Sequence, residues 1–454
     1  MRNNLNAGVD WFLDKQNTIN LNVNYRYSDM DQRDFTMDQN RWLNEQLQST
    51  SDLKMDDLQS NSSMYYSVYW KHDFPQKGRR LLVETGYYDG KSDNISHYTH
   101  TYRNLDTGEP VETVKRNEYI SSNNDNIPLR VDYEHKFDKL KLETGYKGRY
   151  EWYDNEMSYA KDAAPQSTFQ YDEIRHAGYV NFSWKLNKWQ FQSGLRGTYS
   201  GISMNDGESR SSYLSFLPQV SVMKKMPASQ SLRLSYRRRI HRPSVQNLNP
   251  FVQQSDSLHM SIGNPDLEPA YYNKAELSYS KNFKSNYIKP AVFARYTENG
   301  FNTINYVNED GVTVSQTANI GKEWEYGLNL TAALQIAPWL KFNTHSSVYR
   351  RMITSESDLS ATNDDQERWS YRVNAKILAN PYKDYNLFFR ASYHSPRISY
   401  QRTSYRDLMM IGGLQKQILK NLKAGAFMII PHGDNFTYRR YETSTPTMQR
   451  DWKG

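Results

Sequence analysis

Residues 129–152, LRVDYEHKF-DK-LKLETGYKGRYEW, decide how this chain is to be read. Leu129, Val131, Tyr133, His135 and Phe137 take every second position, with Arg130, Asp132, Glu134 and Lys136 between them. Successive side chains of a strand point to opposite faces, so the segment is a β-strand with one apolar and one charged face. Asp138-Lys139 is the length of a hairpin turn, after which the alternation resumes. Leu140, Leu142, Thr144, Tyr146, Gly148, Tyr150 and Trp152 then share one face, opposite Lys141, Glu143, Gly145, Lys147, Arg149 and Glu151.

The same pattern recurs in both directions. Ile19, Leu21, Val23, Tyr25 and Tyr27 alternate with Asn20, Asn22, Asn24 and Arg26, and Leu232, Leu234 and Tyr236 with Arg233, Ser235 and Arg237. Val180, Phe182 and Trp184 lead through a turn at Asn187-Lys188 to Trp189, Phe191 and Leu195. No helical periodicity is sustained. Segments of roughly ten alternating residues have the length of a tilted membrane strand.

Composition narrows the class. A chain with 24% charged residues, 37% hydrophobic residues and a negative mean hydropathy resembles a soluble or disordered protein. Its 36 Tyr, 17 Phe and 10 Trp exclude disorder, which is poor in large rings. Tyr and Trp suit a boundary between lipid and water, and strands that hide half their residues in a wet interior account for the average polarity. The most apolar stretch, Ala424 to Pro431, is too short to cross a bilayer as a helix. Cysteine is absent, which removes disulfides, thiolate catalysis and zinc–thiolate sites. A net charge of +7 is modest for 454 residues and does not single out nucleic acid.

Short connections near residues 12–18, 73–79, 138–139, 186–188, 226–230, 282–286, 336–340, 380–384 and 418–421 alternate with long polar ones near 28–62, 90–126, 153–171, 239–270, 351–367 and after 430. Short turns on one rim and long loops on the other are the asymmetry of outer-membrane barrels. The expected fold is therefore all-β, a transmembrane antiparallel β-barrel occupying 1–454 with about eighteen strands in this chain. The first strand runs down into a short turn and the last, near Leu422 to Ile430, runs up from one. With no secretory signal at Met1 to Asp10, the expectation is a chain incomplete at both ends, part of a larger barrel of about 22 strands.

From Tyr236 the chain reads YRRRIHRPS, then Leu248-Asn249-Pro250-Phe251, then Gly263-Asn264-Pro265-Asp266-Leu267-Glu268-Pro269. This resembles the barrel of TonB-dependent receptors, especially the Bacteroidota-type group, in which a strand ending in aromatic and arginine leads into an Asn-Pro-x-Leu-x-Pro loop. Asn319-Ile-Gly321 with Tyr326-Gly327, and Asp434-Asn-Phe436, resemble further elements of that family, whereas Ala270 and Asn329 depart from its usual acidic residues. The likeness covers roughly residues 220 to 440. It implies an outer-membrane receptor that takes up a small solute, glycan or peptide, with the TonB complex acting through a plug segment not recognisable here. Asn249, Pro250, Gly263, Asn264, Pro265, Leu267 and Pro269 are structural members of the motif, their prolines fixing φ and aiming the chain into the next hairpin. A barrel of the same ancestry serving binding, adhesion or assembly is the alternative.

Arg237, Arg238, Arg239 and Arg242 at the top of a strand are the candidate ligand contacts, read as a rim cluster meeting lipopolysaccharide phosphates or a ligand carboxylate and not as a nucleic-acid patch. His97 and His100 read as exposed loop residues that would need a third ligand to hold a metal. The acidic stretches Asp52 to Asp57 and Asp364-Asp365-Gln366-Glu367 read as solvated outer loops without calcium-site spacing. There is no phosphate-binding glycine loop, nucleophile elbow or catalytic triad, so neither an enzyme nor a cofactor is expected, and the partners are membrane lipid and lipopolysaccharide.

Overall fold

The computed structural model describes residues 2–43, 46–160, 167–207, 209–256, 259–308, 312–355, 366–382, 384–398, 402–404, 408–420, 422–431, 441–443 and 448–451. The alternating segments form a meander in which each strand pairs antiparallel with the next. In chain order they are β1 (Arg2–Phe12), β2 (Asn17–Leu43), β3 (Gln46–Asp73), β4 (Arg79–Arg103), β5 (Pro110–Lys136) and β6 (Leu140–Ser158). Next come β7 (Ser167–Leu186), β8 (Trp189–Met204), β9 (Ser209–Met226), β10 (Gln230–His241), β11 (Ala270–Phe283) and β12 (Asn286–Val307). The meander ends with β13 (Thr313–Ala337), β14 (Leu340–Ser355), β15 (Gln366–Ala379), β16 (Tyr385–His394), β17 (Met409–Leu419) and β18 (Leu422–Pro431). Their neighbour pairings run without interruption from β1·β2 to β17·β18. The strand number expected from the alternation is met.

Short pieces Gln253–Asp256, His259–Ile262 and Met448–Asp451 extend this sheet to 21 strands, and Arg397–Ile398, Arg402–Ser404 and Tyr441–Thr443 make a separate three-stranded sheet. Among the described residues, β1 pairs only with β2, and β18 only with β17. The only α-helix there is the single turn Val245–Leu248, and no helix is long and apolar enough to cross a membrane.

Burial is inverted relative to a water-soluble sheet. Leu234, Phe216 and Leu328 are 57%, 57% and 61% exposed, whereas Ser200, Glu173 and Arg351 are 0%, 3% and 2% exposed. A soluble protein hides its large apolar side chains and leaves such patches bare only where something apolar will cover them. Here the exposed side chains are the apolar face of the alternation, including Leu129 on β5, Phe182 on β7, Leu195 on β8, Leu232 on β10 and Val292 on β12. The charged residues occupy the other face. Arg130 pairs with Asp132 and, at 3.6 Å, with Glu84, while Lys141 bridges Glu134 at 3.1 Å and Glu143 at 2.7 Å. Neutralisation therefore runs along strands as well as between them. Lys147 has instead the Tyr179 ring, 5.8 Å away.

One expectation needs correcting. Most of the long polar connections are hairpin arms, since β3 runs for 28 residues and β5 for 27. Stretches 28–62 and 90–126 are rich in Ser, Asn and Asp and read as loops by composition, yet Gln59 opposes Asn94 and Asn94 opposes Ile120 in long antiparallel ladders. Cross-strand bonds such as Ser96 Oγ to Asp57 at 2.6 Å and Ser121 Oγ to Asp93 at 2.7 Å let these small polar residues stay in a sheet. The hairpins thus extend well past the length needed to cross a bilayer.

Candidate functional site

The basic run at the top of β10 divides by strand parity. Leu232, Leu234 and Tyr236 lie on the exposed apolar face, so Arg238 projects on that side: its guanidinium stacks 4.4 Å over the Tyr271 ring and donates to Glu298 at 2.9 Å. Arg237 and Arg239 take the opposite, polar face. Arg242, just beyond the strand, turns to the same face, donating to the Tyr213 hydroxyl at 3.0 Å and to Thr198 Oγ1 at 3.2 Å. Arg237, Arg239 and Arg242 therefore converge, while Arg238, which also borders the same cavity, is engaged by Tyr271 and Glu298.

Arg237, Arg239 and Arg242 line a cavity of about 750 Å³ on the polar face, with Arg196, Tyr179 and Gln219. The register explains the convergence: Arg237 opposes Gln219, Gln219 opposes Gly194, and Gly194 opposes Asn181. Glycine clears the floor. A Cβ at Gly194 would lie 2.1 Å from Asn181 Oδ1, in the space where Gln219 Nε2 reaches that oxygen at 3.0 Å. At Gly145 a Cβ would meet the Val131 carbonyl oxygen at 2.4 Å and the Tyr179 hydroxyl at 2.8 Å, so Tyr179 lies flat across it and donates to Asp132. Sequence reading missed Arg196, Tyr179, Asn181 and Gln219. Each sits on the polar side of an alternating strand, but which strands bring them level depends on register.

Charge in this region is unevenly matched. The carboxylates of the cavity are taken: Asp132 by Arg130, Glu134 by Lys136 at 3.0 Å, and Glu143 by Lys141. A second cavity of about 680 Å³ shares Arg237 and Arg239 and reaches Lys274, Glu276 and Glu323. There Glu276 holds Lys274 at 2.7 Å, and Glu323 holds Arg351 at 2.7 Å and Arg295 at 3.7 Å. Among the described residues Arg196, Arg237 and Arg239 meet no carboxylate, and Arg196 Nε is buried without a hydrogen-bond partner.

The Asn-Pro segments that follow fold inward against this face. Leu248 and Leu267 are buried with Tyr153, Phe169, Tyr171 and Met204. Ser244 caps the helical turn by accepting from Asn247 N, and Asn249 Oδ1 accepts from Phe251 N at 3.0 Å. Gly263 N donates to the Asn249 carbonyl at 3.0 Å, and a Cβ at Gly263 would stand 2.1 Å from that oxygen, so only glycine fits. Asn264 Oδ1 accepts from Asp266 N, and its amide donates to the Thr317 carbonyl at 3.2 Å. Asn319 fixes the exit, accepting from Glu268 N at 2.9 Å and donating back to the Glu268 carbonyl at 3.0 Å. Pro250, Pro265 and Pro269 stand at the bends between these anchors.

His97 and His100 lie on β4, three residues apart and hence on opposite faces. His97 Nδ1 lies 2.8 Å from Asn117 Oδ1, and His100, buried rather than exposed in a loop, lies 2.8 Å from Ser51 Oγ. They cannot share a metal. Asp52 to Asp57 is part of β3, with Asp52 paired to Arg103 and Asp57 to Ser96. Glu367 pairs with Arg350, while Asp364, Asp365 and the Asp434–Phe436 element lie outside the described residues. No group of three or more His, Asp or Glu positioned to hold a metal occurs among the described residues.

Buried on the polar side of the long β4·β5 hairpin is Glu118, whose carboxyl burial pushes above the usual carboxylate range. The nearby Arg116 charge opposes that push, the Tyr98 hydroxyl donates to it at 3.3 Å, and Asp57 adds to the push.

A family model described as "Outer membrane protein beta-barrel family" matches residues 72–429. No curated protein matches the sequence. Among solved structures the chain is similar to the copper transporter OprC, at 10% identity and a TM-score of 0.56, covering 99% of this chain and 78% of that one. It is also similar to the ferric yersiniabactin uptake receptor FyuA from Yersinia pestis, at 12% identity and a TM-score of 0.53, covering 100% and 75%. The siderophore receptor PirA from Pseudomonas aeruginosa matches at 11% identity and a TM-score of 0.50, covering 99% and 79%.

Proposed function

Because this chain belongs to the outer membrane protein β-barrel family, we propose that it acts as a receptor and transporter barrel for uptake of a small solute, energised through TonB. The carrying observation is the division of one meander into an exposed apolar face for lipid and a polar face with charged cavities, which gives the solute a wet route past the membrane core. Uptake receptors and a metal transporter with this architecture support the reading. The work done is selective binding, with no covalent chemistry by this chain. The motif loop packs on the polar face through Leu248 and Leu267, against Tyr153, Phe169, Tyr171 and Met204. Membrane lipid and lipopolysaccharide would meet the exposed apolar face, which carries Leu234, Phe216 and Leu328.

The test is accumulation of scarce solutes by the parent bacterium with the gene intact, deleted, or intact without TonB. Loss of the same solute in both mutants is expected. Undiminished uptake of every solute in the deletion strain, with a defect in surface attachment or envelope assembly, would replace transport by the adhesion or assembly reading.

A further inference from the structure

We propose that the polar-face cavity at the top of β10 is a binding site for a small solute carrying at least two oxyanion groups, carboxylate or phosphate, held by Arg196, Arg237 and Arg239. This rests on the reading of the polar face as the solute route. The cavity holds more cations than its own acids satisfy: Asp132, Glu134 and Glu143 each have a lysine or arginine partner, and the three arginines have none among the described residues. Arg196 also has a buried Nε without an acceptor, a condition it shares with Arg295 and Arg351, so the missing carboxylate partner is what sets it apart. A guanidinium presents donors in a planar fork matched to carboxylate or phosphate.

The walls suit such a guest. Arg237 and Arg239 border both cavities, so one solute can span them, and the Tyr179, Gln219 and Asn181 side chains add neutral polar contacts. Gly194 and Gly145 keep the floor open by letting Gln219 and Tyr179 lie flat. Across β11 to β14 the arrangement differs, because Arg295 and Arg351 are matched by Glu323 and Glu325. Arg295 and Arg351 there have carboxylate partners, whereas Arg196, Arg237 and Arg239 have none among the described residues, which leaves their charge for a ligand. Arg242 is engaged by Tyr213 and Thr198 and positions the start of the loop instead.

The experiment is calorimetric titration of the full chain in detergent micelles with citrate, pyrophosphate, acetate and glucose in turn. Citrate or pyrophosphate should bind more tightly than acetate or glucose, and added potassium chloride should weaken binding. The stronger of the two polyanions identifies the carboxylate or phosphate source. Arg196→Gln, Arg237→Gln and Arg239→Gln should each weaken it roughly tenfold, the arginine-to-lysine variants less, and Lys91→Gln not at all. Circular dichroism selects the variants that retain strand content, and the preference for polyanions in unaltered protein is a readout that needs no variant. Equal response to acetate and polyanion, or polyanion binding indifferent to all three glutamine variants, overturns the site. Persistence of TonB-dependent uptake in that case leaves transport standing, whereas arginine-dependent polyanion binding without any uptake defect on deletion leaves the site standing and removes transport.

Discussion

Ala228 and Ser229 hold φ of 57° and 54° in the connection from β9 to β10, a region that L side chains enter at a cost. Glycine enters it freely, so Ala228→Gly should stabilise the hairpin by about 0.5–1 kcal/mol, read as a higher urea midpoint on unfolding from vesicles. Gly194 is the converse case. A side chain there must displace Asn181 or Gln219, and Gly194→Leu should cost about 1–3 kcal/mol by the same assay; an unchanged midpoint would show that the amide pair is not packed over it. Glu118 gives a pH dependence. Its pKa is raised in the folded chain, so folding favours the protonated form: the contribution is full below the ordinary carboxylate range and is lost as pH rises through the raised value. Amides of the β4·β5 hairpin, corrected for intrinsic exchange, should be less protected at neutral than at acidic pH. In Glu118→Gln that difference should shrink, and its persistence would assign it to another group.

At the scale of a strand, two faces make two different demands. Leu234 stands mid-strand on the exposed face, whereas Trp184 lies close to the Asn187 turn. Arginine at Leu234 should cost roughly 2–4 kcal/mol in vesicle refolding and at Trp184 about 0–1, because the penalty follows depth in the bilayer. A pair of penalties unrelated to depth would indicate a packed sandwich core. On the other face the ionic ladder of β5 and β6 should be wet: cysteine at Lys147 should react with a water-soluble maleimide in the vesicle-bound protein, and cysteine at Val131 should not. The long polar hairpins obey different rules again. Ser, Asn and Asp there bond across the ladder, which is why composition alone mistook strand for loop.

For the whole molecule, the exposed apolar face has to be covered. Transfer from denaturant into buffer without amphiphile should give aggregate, while detergent or vesicles should restore the strand signal in far-ultraviolet circular dichroism; a monodisperse folded protein in plain buffer would contradict a lipid-facing surface. The described outer strands add to this. Arg2–Phe12 is exposed along its length, and one side of its backbone pairs with β2.

The alternation of 129–152 and its repeats determined by themselves that the chain is a meander of two-faced strands, because side-chain period is a local property of the backbone. Turn positions at Asp138-Lys139 and Asn187-Lys188 and the strand number were legible for the same reason. Register was not. Whether Arg237 stands level with Gln219 and Asn181, or Arg196 beside Tyr179, depends on how each hairpin slides against the next, and no short window of sequence contains that sum. The tertiary structure alone decided that Arg242 turns to the face of Arg237 and Arg239, and that nearby carboxylates are already spent. Charge balance in a cavity is set by residues from many strands at once, far apart in sequence and adjacent only after the sheet has formed.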